Sequence, residues 1–456
     1  MTLPTPATAG DDPVVAQAGK PGAADAPSSR DELFGLKPPA GAPPAEEKKL
    51  PFALSGFYDF VGAYTYSDPS HWSEAVNRLQ LSAQGEAGPS VKWKIGGRFD
   101  IDPVYYWSDF YLEPVKQNQR TSAFWRETYV DFSAGGLDFR VGAQNIVWGE
   151  VVGLYFADVV SALDLREYIL PSFDITRKPQ WAARAEYFKG DSHVEVIWIP
   201  FQTFDDIGKP GSDFYPVPLP SPTSQTVASA FQNPVSPAKT LSNSAYGIRA
   251  NTLVAGWDLA AFYYRSFANS PTFYQVPGPS AQVPIAFAPR YDRIWQVGGT
   301  VSKDLGQAVL RAEAVYADGR NFASTDPTAP QGVVGRDTLD WIVSADFTVF
   351  DDGRLNLQGF QRVYFGGSSD AVALKSGSFG ASILLSKKVT ATVEPEILYI
   401  QTFGGGGGLI RPRLNWYAFK NAKVGVGVDI FTGPIDGLFG RYNNRDRVYT
   451  EVRLDF

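Results

Sequence analysis

The chain has 456 residues, the length of two or three ordinary soluble domains, yet past its first 50 residues no linker or composition shift divides it. Its 41 basic and 48 acidic side chains are well mixed and leave a net charge of −7, so no basic face marks it for nucleic acid. With no cysteine, two histidines and one methionine, disulfide frameworks, cysteine zinc sites and Cys or His nucleophiles drop out, and no cofactor or metal site is expected.

Residues 1–50 are rich in Pro, Ala and Gly and cannot bury a core, which predicts a disordered periplasmic lead-in, free to engage a periplasmic partner. They lack the hydrophobic segment of an export signal, so the chain is expected to begin after processing. The remainder, 51–456, reads as one domain of alternating segments. Strands are predicted at 54–66, 76–87, 90–101, 123–134, 137–148, 179–189, 192–200, 244–254, 256–267, 290–303, 307–317, 336–349, 353–366, 376–387, 389–402, 408–419, 421–432 and 444–456. No apolar run approaches the roughly 18 to 20 residues of a spanning helix, and strands cross a membrane only when their sheet closes. The expectation is an all-β fold: a transmembrane antiparallel up-and-down β-barrel of about 18 strands, with short periplasmic turns and long outer loops. Its place would be the bacterial outer membrane, with membrane lipid around it.

In 90–101, Val91, Trp93, Ile95, Phe99 and Ile101 share one face, while Lys92, Lys94, Arg98 and Asp100 share the other. The same alternation puts Arg140, Arg184, Glu186, Arg311, Glu313, Arg411 and Arg413 on inward faces, since a charge facing mid-membrane lipid costs about 2–4 kcal/mol. These residues are expected to line a pore. Lys92, Lys94, Arg98, Arg140, Arg411 and Arg413 as a ladder would attract an anionic solute, whereas cross-strand pairing with acids would merely keep the wall wet. Aromatics recur near strand ends, as at Tyr64, Tyr66, Tyr105–Trp107, Trp198 and Trp416-Tyr417, which suits interfacial girdles.

The connection between 148 and 179 is too long for a hairpin turn. Ala157, Val160, Ser161, Ala162, Leu163 and Leu165 have helical spacing, and the charges Asp158, Asp164, Arg166 and Glu167 punctuate the segment before Pro171. A loop both apolar and ion-pairing is suited to folding back into a wet lumen, so residues 149–178 are predicted to form a constriction, paired to wall charges such as Arg140 or Arg184.

The block from Trp125 to Tyr187 carries Trp125-Arg126-Glu127-Thr128-Tyr129, Val147-Trp148-Gly149-Glu150, Leu163-Asp164-Leu165-Arg166-Glu167-Tyr168 and Arg184-Ala185-Glu186-Tyr187. It resembles a family of uncharacterised proteobacterial outer-membrane β-barrels, a porin-like domain of unknown function. In outline the chain is also similar to the alginate-export barrel. The resemblance implies passage of hydrophobic or lipid-like molecules in some members, and no catalytic residues. The chain ends on a strictly alternating strand, with Val448, Thr450, Val452, Leu454 and Phe456 opposite Arg447, Tyr449, Glu451, Arg453 and Asp455; it is similar to the closing strand of bacterial outer-membrane barrels.

An enzyme is not expected. His71 and His193 read as exposed or lumenal polar residues, the paired acids Glu394/Glu396 and Asp340/Asp346 suit any polar wall, and neither a nucleophile elbow nor a zinc-protease motif occurs. The expected function is an outer-membrane channel for a small solute, narrowed by the 149–178 loop. The alternatives are a transporter of hydrophobic or lipid-like molecules, and a closed structural or receptor barrel binding a protein partner.

Overall fold

The computed structural model describes residues 52–217, 228–278, 284–375 and 379–456; the expected lead-in, 1–50, lies outside them. Eighteen antiparallel barrel strands follow in chain order: β1 Phe52–Thr65, β2 His71–Glu86, β3 Val91–Ile101, β4 in two pieces, Thr121–Trp125 and Thr128–Ala134, β5 Leu137–Gln144, β6 Gln180–Lys189, β7 Ser192–Ile199, β8 Ala245–Val254 and β9 Trp257–Phe267. The second half holds β10 Arg293–Asp304, β11 Ala308–Asp318, β12 Asp337–Val349, β13 Gly353–Phe365, β14 Phe379–Lys387, β15 Val393–Phe403, β16 Gly407–Phe419, β17 Ala422–Thr432 and β18 Arg447–Asp455. Each strand pairs with its sequence neighbours, and β1 pairs with β18 from Phe57↔Asp455 to Thr65↔Arg447. Phe456 extends the seam: its N–H donates to Gly56 O at 2.9 Å, and Gly56 N–H donates to its carbonyl at 2.7 Å. Closure satisfies every ladder along that seam, as a lipid-facing sheet requires.

The period-2 pattern sorts the faces. Along β18, Arg447 and Tyr449 are buried inside while Val448 and Leu454 are exposed outside; along β3, Arg98 and Asp100 are buried and Ile95 and Phe99 exposed. Tight turns at one end, such as Gly135-Gly136 and Ala255-Gly256, use positive φ values, and the long connections all lie at the opposite end. At that loop end, two short helices, Val104–Trp107 and Glu113–Gln119, bury Tyr105, Tyr111 and Val115 against one another. Tyr105 is therefore packed inside a loop rather than standing in an aromatic girdle.

Among the strand boundaries that differ from expectation, three bear on the interior. β2 begins at His71, five residues early, because that stretch still pairs with β1. β4 is interrupted at Arg126-Glu127. β5 ends at Gln144 rather than 148, since Ile146 and Trp148 leave the wall and bury themselves inside.

Val426 lies outward on β17 and is 56% exposed. We predict that Val426→Arg lowers barrel stability by about 2–4 kcal/mol, read as a shift in the unfolding midpoint in lipid bilayers; an unchanged midpoint would refute the face assignment of that strand.

Candidate functional site

Two connections from the loop end, residues 145–179 and 200–217, run into the lumen. Their apolar side chains cover inward apolar patches on the wall. Val151, Leu154, Tyr168, Ile169, Leu170 and Phe214 join Ile342, Phe360, Leu384, Leu398, Ile400 and Phe431, and Trp148, Val159 and Val160 join Ile197, Ile199, Phe262 and Tyr264. At roughly 1.5–3 kcal/mol for each large side chain buried, this seam contributes much of what holds the loop against the wall.

One carboxylate sets the loop's path. Glu313, from β11, accepts four backbone N–H bonds: Glu150 at 2.7 Å and Val151 at 2.8 Å on Oε1, and Phe156 and Ala157, both at 2.8 Å, on Oε2. Glu313 is 2% exposed and has no basic group within ion-pair distance among the described residues, so these amides solvate its charge. Gly149 admits the approach, since a Cβ there would stand 3.0 Å from Glu313 Oε1. From β13, Gln358 donates to Val152 O at 2.6 Å and accepts from Leu154 N–H at 3.2 Å; the intervening Gly153 has φ +106°.

The helix expected from 157–165 does not form. These amides are spent elsewhere: Ala157 on Glu313, Leu163 on Asp205 at 2.7 Å, and Ala162–Leu163 form a two-residue ladder with Arg177–Lys178. The segment's only helical turn is Phe173–Thr176.

The loop charges are mostly buried, and their partners are not the expected Arg140 and Arg184. Asp164 receives Arg166 Nε at 2.8 Å and Nη2 at 2.7 Å, with Arg98 Nη2 at 3.6 Å. Glu167 receives Arg447 Nη1 at 2.8 Å, and Asp158 receives Arg177 Nε at 3.0 Å. Arg140 instead pairs with Asp131 across the β4–β5 ladder, and Arg184 with Glu186 and Glu195, because both stand on other stretches of wall. Arg98 also donates to Ile175 O at 2.6 Å, and Arg411, held by Asp429, donates to Leu170 O at 3.1 Å.

The remaining wall residues are paired too: Lys94 with Glu127, Arg311 with Asp346, and Arg413 with Glu451. Lys92, near the turn end, is exposed. The basic ladder is thus largely neutralised side chain by side chain. Sequence reasoning passed over Asp59, Glu74, Arg78 and Asp429, whose signal was the same inward alternation in β1, β2 and β17. Arg78 bridges Asp59 at 3.0 Å and Glu74 at 2.8 Å, and Asp429 holds Arg447 as well as Arg411. Of the two expectations for His71, exposed or lumenal, the structure shows the lumenal one: it is buried, with Nε2 3.0 Å from Asp213 of the second lumenal connection.

The loop leaves space on both sides. A cavity of about 230 Å³ lies between Tyr155, Asp158 and Asp205 on one side and, on the other, Asp340 and Arg362 of the wall with Asp292 and Arg320 at the loop ends of β10 and β11. On the other side, cavities of about 50 and 40 Å³ share Glu74, Arg78, Pro171 and Ile175. No group of three or more metal-ligating side chains occurs among the described residues.

A closed eighteen-strand barrel, apolar outside, ion-paired inside and crossed by its own loop, is a porin-like transmembrane barrel. The chain belongs to the DUF1302 family, proteins of unknown function, whose pattern matches residues 49–374. No curated protein matches it. Among solved structures, Salmonella typhi OmpF in complex with daunomycin is similar at 11% identity and a TM-score of 0.43, covering 89% of this chain and 97% of that one. A loop-deletion mutant of OmpT, an outer membrane protein of Vibrio cholerae, is similar at 10% identity and 0.41, and a mutant Rh. blastica porin at 12% and 0.40; each covers 89% of this chain and 100% of its own.

Glu313→Ala leaves four buried amides without their acceptor. Amide hydrogen exchange at Glu150, Val151, Phe156 and Ala157 should accelerate at least about tenfold, while exchange in β17 and β18 stays unchanged; equal protection in the variant would show that the carboxylate does not hold the loop. Burial opposes ionisation of Asp164, but the Arg166 guanidinium overrides it and holds the carboxyl well below the usual range. A depressed native pKa stabilises above the unfolded value and loses that contribution on acidification, so loop docking should weaken progressively below about pH 4. Limited proteolysis of the loop against pH tests this: Asp164→Asn should expose the loop already at neutral pH, and identical profiles would refute it.

Proposed function

We propose that the protein is an outer-membrane channel for small solutes, with the long loops outside, the tight turns in the periplasm and residues 149–178 narrowing the lumen. The observation that carries this reading is the anchoring of that loop on Glu313, part-way along the inner wall, with open space left on either side of it. A loop kept in this position by wall carboxylate and amides sets a width, as a floppy outer loop would not. Of the wall residues, Arg98, Glu313 and Arg411 meet the loop, Lys94, Arg140, Arg184, Glu186, Arg311 and Arg413 line other stretches of the lumen, and Lys92 stands toward the turn end, with Asp158, Asp164, Arg166 and Glu167 on the loop side.

The wider gap sets the selectivity. Asp158, Asp205, Asp292 and Asp340 line it against Arg320 and Arg362, and among the described residues neither Asp205 nor Asp292 is ion-paired: Asp205 accepts from Leu163 N–H and the Ser270 hydroxyl, Asp292 from Thr272 and Tyr274. In a narrow low-dielectric passage that excess favours neutral and cationic solutes over anions. Planar-bilayer recording tests the proposal. Wild type should conduct with a reversal potential on the cation side in a salt gradient, and both Glu313→Ala and excision of residues 155–170 should raise single-channel conductance. A folded excised barrel that conducts no better than wild type removes the loop from the pathway, and anion preference refutes the assignment of the gap.

A further inference from the structure

The ladder between β3 and β4 is interrupted part-way along. Residues Gly97–Ile101 of β3 pair with the upper piece of β4, and Val91–Lys94 pair with the lower piece. Between the runs, Ile95 and Gly96 face Arg126, Glu127 and Thr128, a bulge of one residue. Arg126 N–H donates to Gly96 O and Asp102 N–H to Arg120 O, both at 2.9 Å. The antiparallel alternation then turns the backbone groups of Arg120, Ser122, Phe124 and Arg126 toward β3, and those of Thr121, Ala123 and Trp125 away from it. On that far side β5 has already ended: its last pairing with β4 is Thr128↔Ala143. Among the described residues, nothing bonds the backbone of Thr121, Ala123 or Trp125.

This free edge stands in the apolar belt. Ala123 is opposite Phe99, and Phe99 opposite Leu79; both are exposed on the outer face, and Trp125 is 64% exposed. The aromatic pair Tyr64 and Trp72 lies farther toward the loop end along β1 and β2. Acyl chains offer no partner to an N–H or C=O, so an open edge at this depth calls for a polar group that lipid tails do not supply. Where the bulge ends, at Ile95 and Thr128, an outer groove of about 480 Å³ begins, bounded by Trp93, Trp181 and Trp198 and floored by Val130, Val141 and Ala183. From inside, the same stretch of wall is sealed by the returning loop, through Arg126 to Arg177 O and Asp174 O, both at 2.5 Å.

We propose that the Thr121–Trp125 edge and the three-tryptophan groove form a lateral binding site for a single-chain amphiphile of the surrounding leaflet. The apolar tail lies in the groove, and a head carrying both acceptors and a donor, such as a carboxylic acid or amide, meets the free backbone groups. A second copy of the chain fits poorly: a two-fold axis along the membrane normal makes the two edges run in the same sense and cross at twice the strand tilt, roughly 80°, which precludes a ladder. The site is independent of the aqueous pathway proposed above, and its test does not read conductance.

The test uses the whole protein in phospholipid nanodiscs, with a diazirine-bearing palmitic acid as probe and a diazirine-bearing hexadecane as the headless control. The fatty acid should label peptides around 125–130 and 181–183 in preference to the rest of the belt. Ala183→Trp, which fills the groove, should abolish that preference for both probes. Ala123→Pro removes one free N–H without touching the ladder to β3 and should lower fatty-acid labelling about fivefold, leaving the hexadecane unchanged. Heat-modifiable mobility reports folding, and should Ala123→Pro not fold, Ala183→Trp decides alone. Uniform labelling around the belt, or a pattern indifferent to Ala183→Trp, overturns the site. So does a disulfide-linked dimer through Ala123→Cys in this otherwise cysteine-free chain, which would show that another copy occupies the edge.

Discussion

A carboxylate without a cation organises the interior of this barrel. Glu313 is buried and takes its compensation from four backbone amides of one loop, two on each oxygen. Charge-assisted hydrogen bonds of this kind are worth about 1.5–3 kcal/mol each, and a buried carboxylate deprived of them is strongly unfavourable. The dependence runs both ways. The carboxylate needs the loop, and amides spent on Glu313 cannot close helical turns, so the segment from 149 to 163 stays irregular despite its helical spacing. With the loop in place, Arg98, Arg411 and Arg447 find their acceptors at Ile175 O, Leu170 O and Glu167.

The lumen consequently behaves less like a charged tube than its residue list implies. Most wall cations face an acid at hydrogen-bond distance, and such pairs cancel at the range of a passing solute. What field remains comes from groups whose partners are neutral. Asp205 and Asp292, both bonded to hydroxyls, fall in the same gap between loop and wall.

Closure imposes a second constraint, from the outside. Strand-to-strand joints and the β18–β1 seam satisfy the backbone in the apolar belt, and along the upper piece of β4 one side is left open among the described residues. The cause is local and traceable: Ile146 and Trp148 turn inward to pack against β7 and β9, so β5 stops short and its neighbour loses a partner. The same event that sends the loop into the lumen therefore opens the wall beside it.

Strand existence, strand number and the two faces were legible in the sequence, because period-2 alternation is a local property and a charge facing lipid is too costly to occur by chance. The closing strand was legible for the same reason, whereas the loop reading rested on its length and its mix of apolar and charged residues. What stayed hidden depends on residues far apart in the chain. Glu313 reads as one inward acid among many until residues 150–157 are brought against it, and the wall cations that meet the loop, Arg447 at Glu167 and Arg98 beside the Asp164–Arg166 pair, are fixed by which wall the loop crosses rather than by any spacing. The broken β4 and its free edge are equally nonlocal: Thr121–Trp125 alternates like any other strand, and only the early departure of β5 leaves it without a neighbour. Side-chain alternation determined which way each residue points, and the tertiary structure decided what it meets there, since hydrogen-bond partners are selected by three-dimensional proximity that no local period encodes.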